Sequence, residues 1–170
     1  MSVPILWIGL DDLDGENSED TGAIANEIAN QLSLKGYEVE TFKLSLPKLR
    51  EIDFDNENAA YALKVCMDPG QAIDFVGELV MDLSSEDSDP GLALVMDRAF
   101  PLAVKLAKAS LNSKIPKDLV LKVSEQTRVQ VLELGGNGDG IIGAFCAAVL
   151  ASVGSAEKYP RFNPKKHGPI

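Results

Sequence analysis

Three aspartates, Asp11, Asp12 and Asp14, follow directly on an apolar run, Val3-Pro4-Ile5-Leu6-Trp7-Ile8, within Ile8-Gly9-Leu10-Asp11-Asp12-Leu13-Asp14-Gly15. Six of the ten residues from Asp11 to Asp20 are acidic and none is basic. Carboxylates this close repel one another, and a fold that keeps them together needs a hard cation such as Mg²⁺ or full solvation. Where a strand bends into a loop, at least two of the three converge. That suits Mg²⁺, which takes one or two carboxylates and completes its shell with water and phosphate oxygens. Asp11, Asp12 and Asp14 are therefore candidate metal ligands. Asp12 and Asp14 are also candidate catalytic groups, able to orient an acceptor hydroxyl. A solvated acidic turn is the alternative for the same residues.

Two further segments suit a phosphate-bearing ligand. Ser18-Glu19-Asp20-Thr21-Gly22 opens a predicted helix, whose first N–H groups are free to meet an anion. Thr21 and Gly22 are candidates there, with a plain N-cap as the alternative. Gly135-Gly136-Asn137-Gly138-Asp139-Gly140 lies between a predicted strand and a helix beginning at Ile141. With Gly143, five of nine residues are glycine, more than a tight turn requires. The arrangement suits backbone N–H groups around phosphate, although it is neither a Walker A motif nor a strict G-x-G-x-x-G fingerprint. Gly136, Asn137, Gly138, Asp139 and Gly140 are its candidate ligand contacts. Lys64 and Arg98 are the candidate cations for a phosphate, with a lysine snorkelling from a sheet face as the alternative. His167, the one histidine, lies in the tail and is a poor general base.

The elements that must hold these residues follow from periodicity. Residues 3–9 read as a buried strand, and Asp20 caps a helix from Thr21 to Lys35 with Ile24, Ile28 and Leu32 on one face. Strands follow over 38–46 and 59–66, joined by the charged stretch 47–58. Asp68-Pro69 opens a helix, 84–90 is an acidic loop and 91–96 a strand. Helices start near Pro101 and Pro116, a strand covers 128–134 and the last helix covers 141–153. The order β-α-β-β-α-β-α-α-β-α predicts an α/β domain, a mixed sheet of about five strands flanked by helices, with the strands 38–46 and 59–66 paired antiparallel. The domain is placed at 1–154, and 155–170 is a basic, Pro-containing tail, surface-draped or mobile.

Bulk composition narrows the function classes. A net charge of −10 and a pI near 4.5 argue against a strong nucleic-acid footprint, which needs clustered Lys and Arg. Cys66 and Cys146 sit in apolar segments and read as buried thiols; no CxxC is present. No apolar run reaches a membrane span and the start lacks signal-peptide character, so a cytoplasmic location is expected.

Two families share parts of this pattern. Asp12-Leu13-Asp14 resembles the minimal Asp-x-Asp of haloacid-dehalogenase phosphatases, though Glu16 stands where those have Thr or Val. That likeness implies an aspartyl nucleophile at Asp12. Four collinear segments resemble the archaeal tRNA agmatinylcytidine synthetases. Trp7-Ile8-Gly9-Leu10-Asp11-Asp12-Leu13-Asp14 is similar to their "GIDDTDS" opening, and 57–65 to a "GNGAVALRI"-like strand. Ser88-Asp89-Pro90-Gly91 followed by Leu92-Ala93-Leu94-Val95 is similar to their "DPG-hydrophobic" segment, and 136–145 to "GNGRGLIGALAA". The resemblance is to the N-terminal kinase-like domain, which binds ATP with Mg²⁺ and phosphorylates a tRNA cytidine before agmatine attacks. It implies that Asp11, Asp12 and Asp14 hold Mg²⁺ and that 136–140 contacts the nucleotide. Leu13, Gly15 and Asp139 depart from the family pattern, Asp139 replacing an arginine. The family's ferredoxin-like, OB-fold and zinc-ribbon parts, which grip tRNA, have no expected counterpart. The resemblance thus implies a stand-alone relative: a Mg²⁺-dependent, ATP-binding protein whose partner is a small-molecule nucleotide and whose acceptor differs. The rival is a non-catalytic nucleotide- or metal-sensing module, with a homodimer among its forms.

Overall fold

The computed structural model describes residues 3–15, 20–46 and 59–160. The expectations placed on Ser18, Glu19, the 47–58 connection, Glu57, Asn58, residues 161–170 and His167 lie outside the described residues. The elements are β1 (Ile5–Asp11), α1 (Thr21–Leu34), β2 (Glu40–Ser45), β3 (Ala59–Cys66), α2 (Pro69–Leu83), β4 (Gly91–Met96), α3 (Pro101–Ala109), α4 (Lys117–Thr127), β5 (Gln130–Glu133), α5 (Gly140–Ser152) and β6 (Glu157–Lys158). The caps are local. Asp20 Oδ1 accepts from the Ala23 N–H at 2.7 Å, and Asp68 accepts from Gln71 at 3.1 Å ahead of Pro69.

One six-stranded sheet runs β5-β4-β1-β3-β2-β6, and every ladder in it is antiparallel. The expected α/β class and the β2–β3 pairing hold, but the sheet has one strand more than expected and no parallel neighbours. The reason lies in the crossovers. The β1-α1-β2 connection leaves room for β3 between its strands, and β3-α2-β4 leaves room for β1. Strands that run the same way are thus never adjacent. The first four strands and two helices form a split β-α-β unit of ferredoxin-like order.

Period-two alternation sorts the two faces. Leu6, Ile8, Leu10, Tyr61, Leu63, Val65, Leu92 and Leu94 pack against α1 and α2. The opposite face carries Trp7, Ala60, Ala62, Ala93 and Val95 and packs against α5, with α3 and α4 outside it. Small side chains let α5 lie close to the sheet. At Gly9 a Cβ would overlap the Ala144 carbonyl oxygen. From Phe145 to Leu150 every α5 residue is fully buried, so the helix shows no amphipathic stripe.

Two expectations change here. Cys146 is buried within α5, but Cys66 is exposed where β3 ends at the sheet margin. Residues just past 154 are not loose: β6 pairs with β2, the Tyr159 N–H donates to Thr41 O at 2.8 Å, and its ring meets Tyr61 edge-on. No helix among the described residues is long and apolar enough to cross a membrane.

Candidate functional site

β1 ends at Asp11, and its antiparallel neighbour β4 begins opposite it, Asp11 pairing with Gly91. The acidic loop before β4 and the glycine-rich loop before α5 therefore meet at this end of the sheet. Asp12 has φ 57°, in the left-handed region that aspartate tolerates better than most residues. Its N–H donates to Asp11 Oδ1 at 2.8 Å. The Asp11 carboxyl is pressed onto the Gly143 backbone, where any Cβ would overlap Oδ2. Burial, with the charges of Asp12 and Asp14, pushes Asp11 up to about 8, against the hydrogen bond from Asp12. Asp12 is half-buried and pushed up to about 6 by burial first, then by the carboxylates of Asp89, Asp14 and Asp139. Five aspartates from three segments thus share one field.

The sequence-predicted residues divide. Thr21 is in the site: its hydroxyl donates to Asp14 Oδ1 at 2.7 Å and accepts from the Leu13 N–H at 3.3 Å. Asp20, not Thr21, caps α1. Gly22 packs under Tyr61, whose hydroxyl oxygen would lie 2.6 Å from a Cβ. Lys64 is not brought to the aspartates. It pairs with Trp7, four residues before Asp11, and its ammonium lies over the Trp7 ring at 5.2 Å. The strand register thus carries it along the sheet, and a cation–π contact holds it there. Arg98 follows β4 at the same far end.

Gly136 and Gly138 adopt φ 58° and 76°, which their lack of a Cβ permits. The loop's amides are largely engaged within the chain. Asn137 N–H donates to Asp89 Oδ1 (2.8 Å), Asp139 to Asn137 Oδ1 (2.9 Å), Gly140 to Asp89 O (3.1 Å) and Ile141 to Gly138 O (3.2 Å). The expected cradle of free N–H groups is thus mostly replaced by a self-bonded turn anchored on Asp89.

Asp89 and Lys117 were missed. Asp89 is legible in the Asp89-Pro90-Gly91 segment, but its role needs the contact with Asn137, 48 residues away. Lys117 is the first residue of α4. Its Nζ lies 2.6 Å from Glu133 Oε1 and donates to Asn137 O at 2.8 Å. No spacing signal links residue 117 to 137.

Among the described residues no three His, Cys, Asp or Glu side chains group closely enough to form a metal cage. The donors suit a hard cation held by one or two carboxylates, with ligand oxygens and water completing the shell.

No protein-family model and no curated protein matches this chain. Solved structures do. Apo TiaS, a tRNA agmatidine synthetase, matches with TM-score 0.70 and 24% identity, over 85% of this chain and 35% of that one. The complex of TiaS with its tRNA and ATP gives 0.73 and 24%, and the complex with tRNA, AMPCPP and agmatine 0.70 and 25%; each covers 85% of this chain and 36% of the other. This chain therefore spans about a third of the length of TiaS. Over that third the two are related in fold, as the four collinear segments led us to expect.

Proposed function

We propose that this chain binds ATP with Mg²⁺ at the carboxyl end of β1 and transfers the γ-phosphoryl group to an acceptor hydroxyl, as a kinase-like domain. The observation that carries the reading is the convergence of Asp11, Asp12, Asp14, Asp89 and Asp139 in one field, with Asp11 and Asp12 both pushed above the ordinary aspartate range. Such a field calls for a cation that brings its own anionic ligand. The ATP and AMPCPP complexes of TiaS, which shares the fold, support a nucleotide as that ligand. Those complexes also contain tRNA, so the acidic net charge does not by itself exclude a nucleic-acid partner.

Asp12 and Asp14 would hold the Mg²⁺, which when bound neutralises charge on the β- and γ-phosphate oxygens. Asp11 acts through Asp12: by accepting its N–H it fixes the left-handed turn that aims the Asp12 carboxylate. Thr21 fixes Asp14 in the same way. In the transfer, the acceptor oxygen bonds to the γ-phosphorus as the bond to the β,γ-bridging oxygen breaks. ADP leaves with that electron pair, and the acceptor proton is released to solvent. A second reading, a non-catalytic nucleotide sensor, is favoured by the self-bonded glycine-rich loop.

Thermal unfolding against ATP, GTP, CTP and ADP, each with and without MgCl₂, tests the proposal. At ~100 times its Kd a ligand stabilises by roughly 2.7 kcal/mol, several degrees for a chain of this size. A shift that needs both nucleotide and Mg²⁺ and vanishes in Asp12→Asn is expected. Absence of any shift overturns the reading; a shift without ADP release from ATP when hydroxyl acceptors, tRNA among them, are supplied selects the sensor. A beryllofluoride adduct on Asp12 would instead select the aspartyl-phosphatase reading.

A further inference from the structure

A polyphosphate at five aspartates needs protein cations as well as a metal, and the loop amides that would serve are mostly engaged. The two cations expected from the sequence, Lys64 and Arg98, lie at the other end of the sheet. Lys117 does not. It is tied to Glu133 and to the carbonyl of Asn137, between Gly136 and Gly138. Beside it opens a cleft of about 570 Å³ lined by Lys114, Ile115, Pro116, Lys117, Asp139 and Ile142. Asp139 lines this cleft and its charge also acts on Asp12, so the cleft lies within electrostatic reach of the aspartates.

The cleft adds a second donor. Pro116 occupies the cap position of α4 and no side chain caps the helix, so its first turn presents uncapped N–H groups beside the two lysines. Asp118 in that turn partly offsets them. We propose that Lys117 is the phosphate-binding cation of this site, and that the cleft it walls receives the phosphate chain of the nucleotide. This rests on the nucleotide-binding reading above. Lys117 suits the part because its present bonds are cheap to exchange. Its side chain is 28% and that of Glu133 46% exposed, and an ion pair so open to water holds weakly. Lysine carries a compact charge on a flexible stem, able to leave Glu133 for a more highly charged anion.

The test is calorimetric titration of the full chain with ATP, AMP and inorganic tripolyphosphate, each with MgCl₂, in wild type, Lys117→Met and Glu133→Gln. Lys117→Met keeps the stem and removes the charge. It is expected to weaken ATP and tripolyphosphate about tenfold or more and AMP far less. Glu133→Gln frees Lys117 and is expected to bind both polyphosphates at least as tightly as wild type. If Lys117→Met binds them as wild type does, the inference falls and the nucleotide reading stands. If tripolyphosphate binds through Lys117 and ATP binds no better, the inference stands and a nucleoside-specific site falls. If wild type binds neither, both fall.

Discussion

Asp11 is the residue whose charge the fold opposes most strongly, through burial first. Its carboxyl has an ordinary value of 3.8 and is pushed up to about 8. Between those values the folded chain keeps a proton that the unfolded chain has released. Stability from this group is therefore complete below about pH 4 and drains away as the pH rises through 8. Asp11→Asn is expected to raise Tm in EDTA at pH 8 by several degrees, equivalent to ~2 kcal/mol after allowance for partial solvation, and by nothing at pH 4. An unchanged Tm at pH 8 would mean that the carboxylate is solvated and uncoupled from its neighbours. The three aspartates at the end of β1 were legible as a cluster, because charge density after an apolar run is a local pattern. The partners Asp89, Asp139 and Lys117 were not assembled, because a field that spans residues 12, 89, 117 and 139 exists only after the loops have met.

Elements fared differently from contacts. Period and caps placed ten of the eleven described elements, with Asp20, Asp68, Pro101 and Pro116 at or next to the helix starts. β6 escaped because two residues carry no period. Beyond the β2–β3 pair, strand neighbours escaped as well: alternation fixes which face a residue takes, not which strand lies beside it. What locates α5 on the sheet is a close approach at Gly9. Gly9→Ala is expected to cost about 1–3 kcal/mol, read as a lower denaturant midpoint, because the new methyl meets backbone that cannot rotate away. A variant with wild-type stability would show that α5 can shift on the sheet.

For the molecule as a whole, Cys146 reports on cooperative opening. It lies in a helix enclosed between the sheet and the outer helices, and burial pushes its thiol up to about 11. In Cys66→Ser, which removes the exposed thiol, a disulfide reagent at pH 8 is expected to modify Cys146 at least about a thousandfold more slowly than in denaturant. Rapid modification would mean that α5 detaches without global unfolding. The enclosure of α5 also bears on synthesis. The helix spans Gly140–Ser152, while the sheet face it covers is set by residues between Trp7 and Val95. A nascent chain that has released its first hundred residues from the ribosome already holds both strands of the β1–β4 pair and the two helices on their other side. It lacks the helix that covers Trp7, Ala93 and Val95, and until that helix emerges this side is exposed apolar surface of the kind that makes partly made chains prone to aggregate.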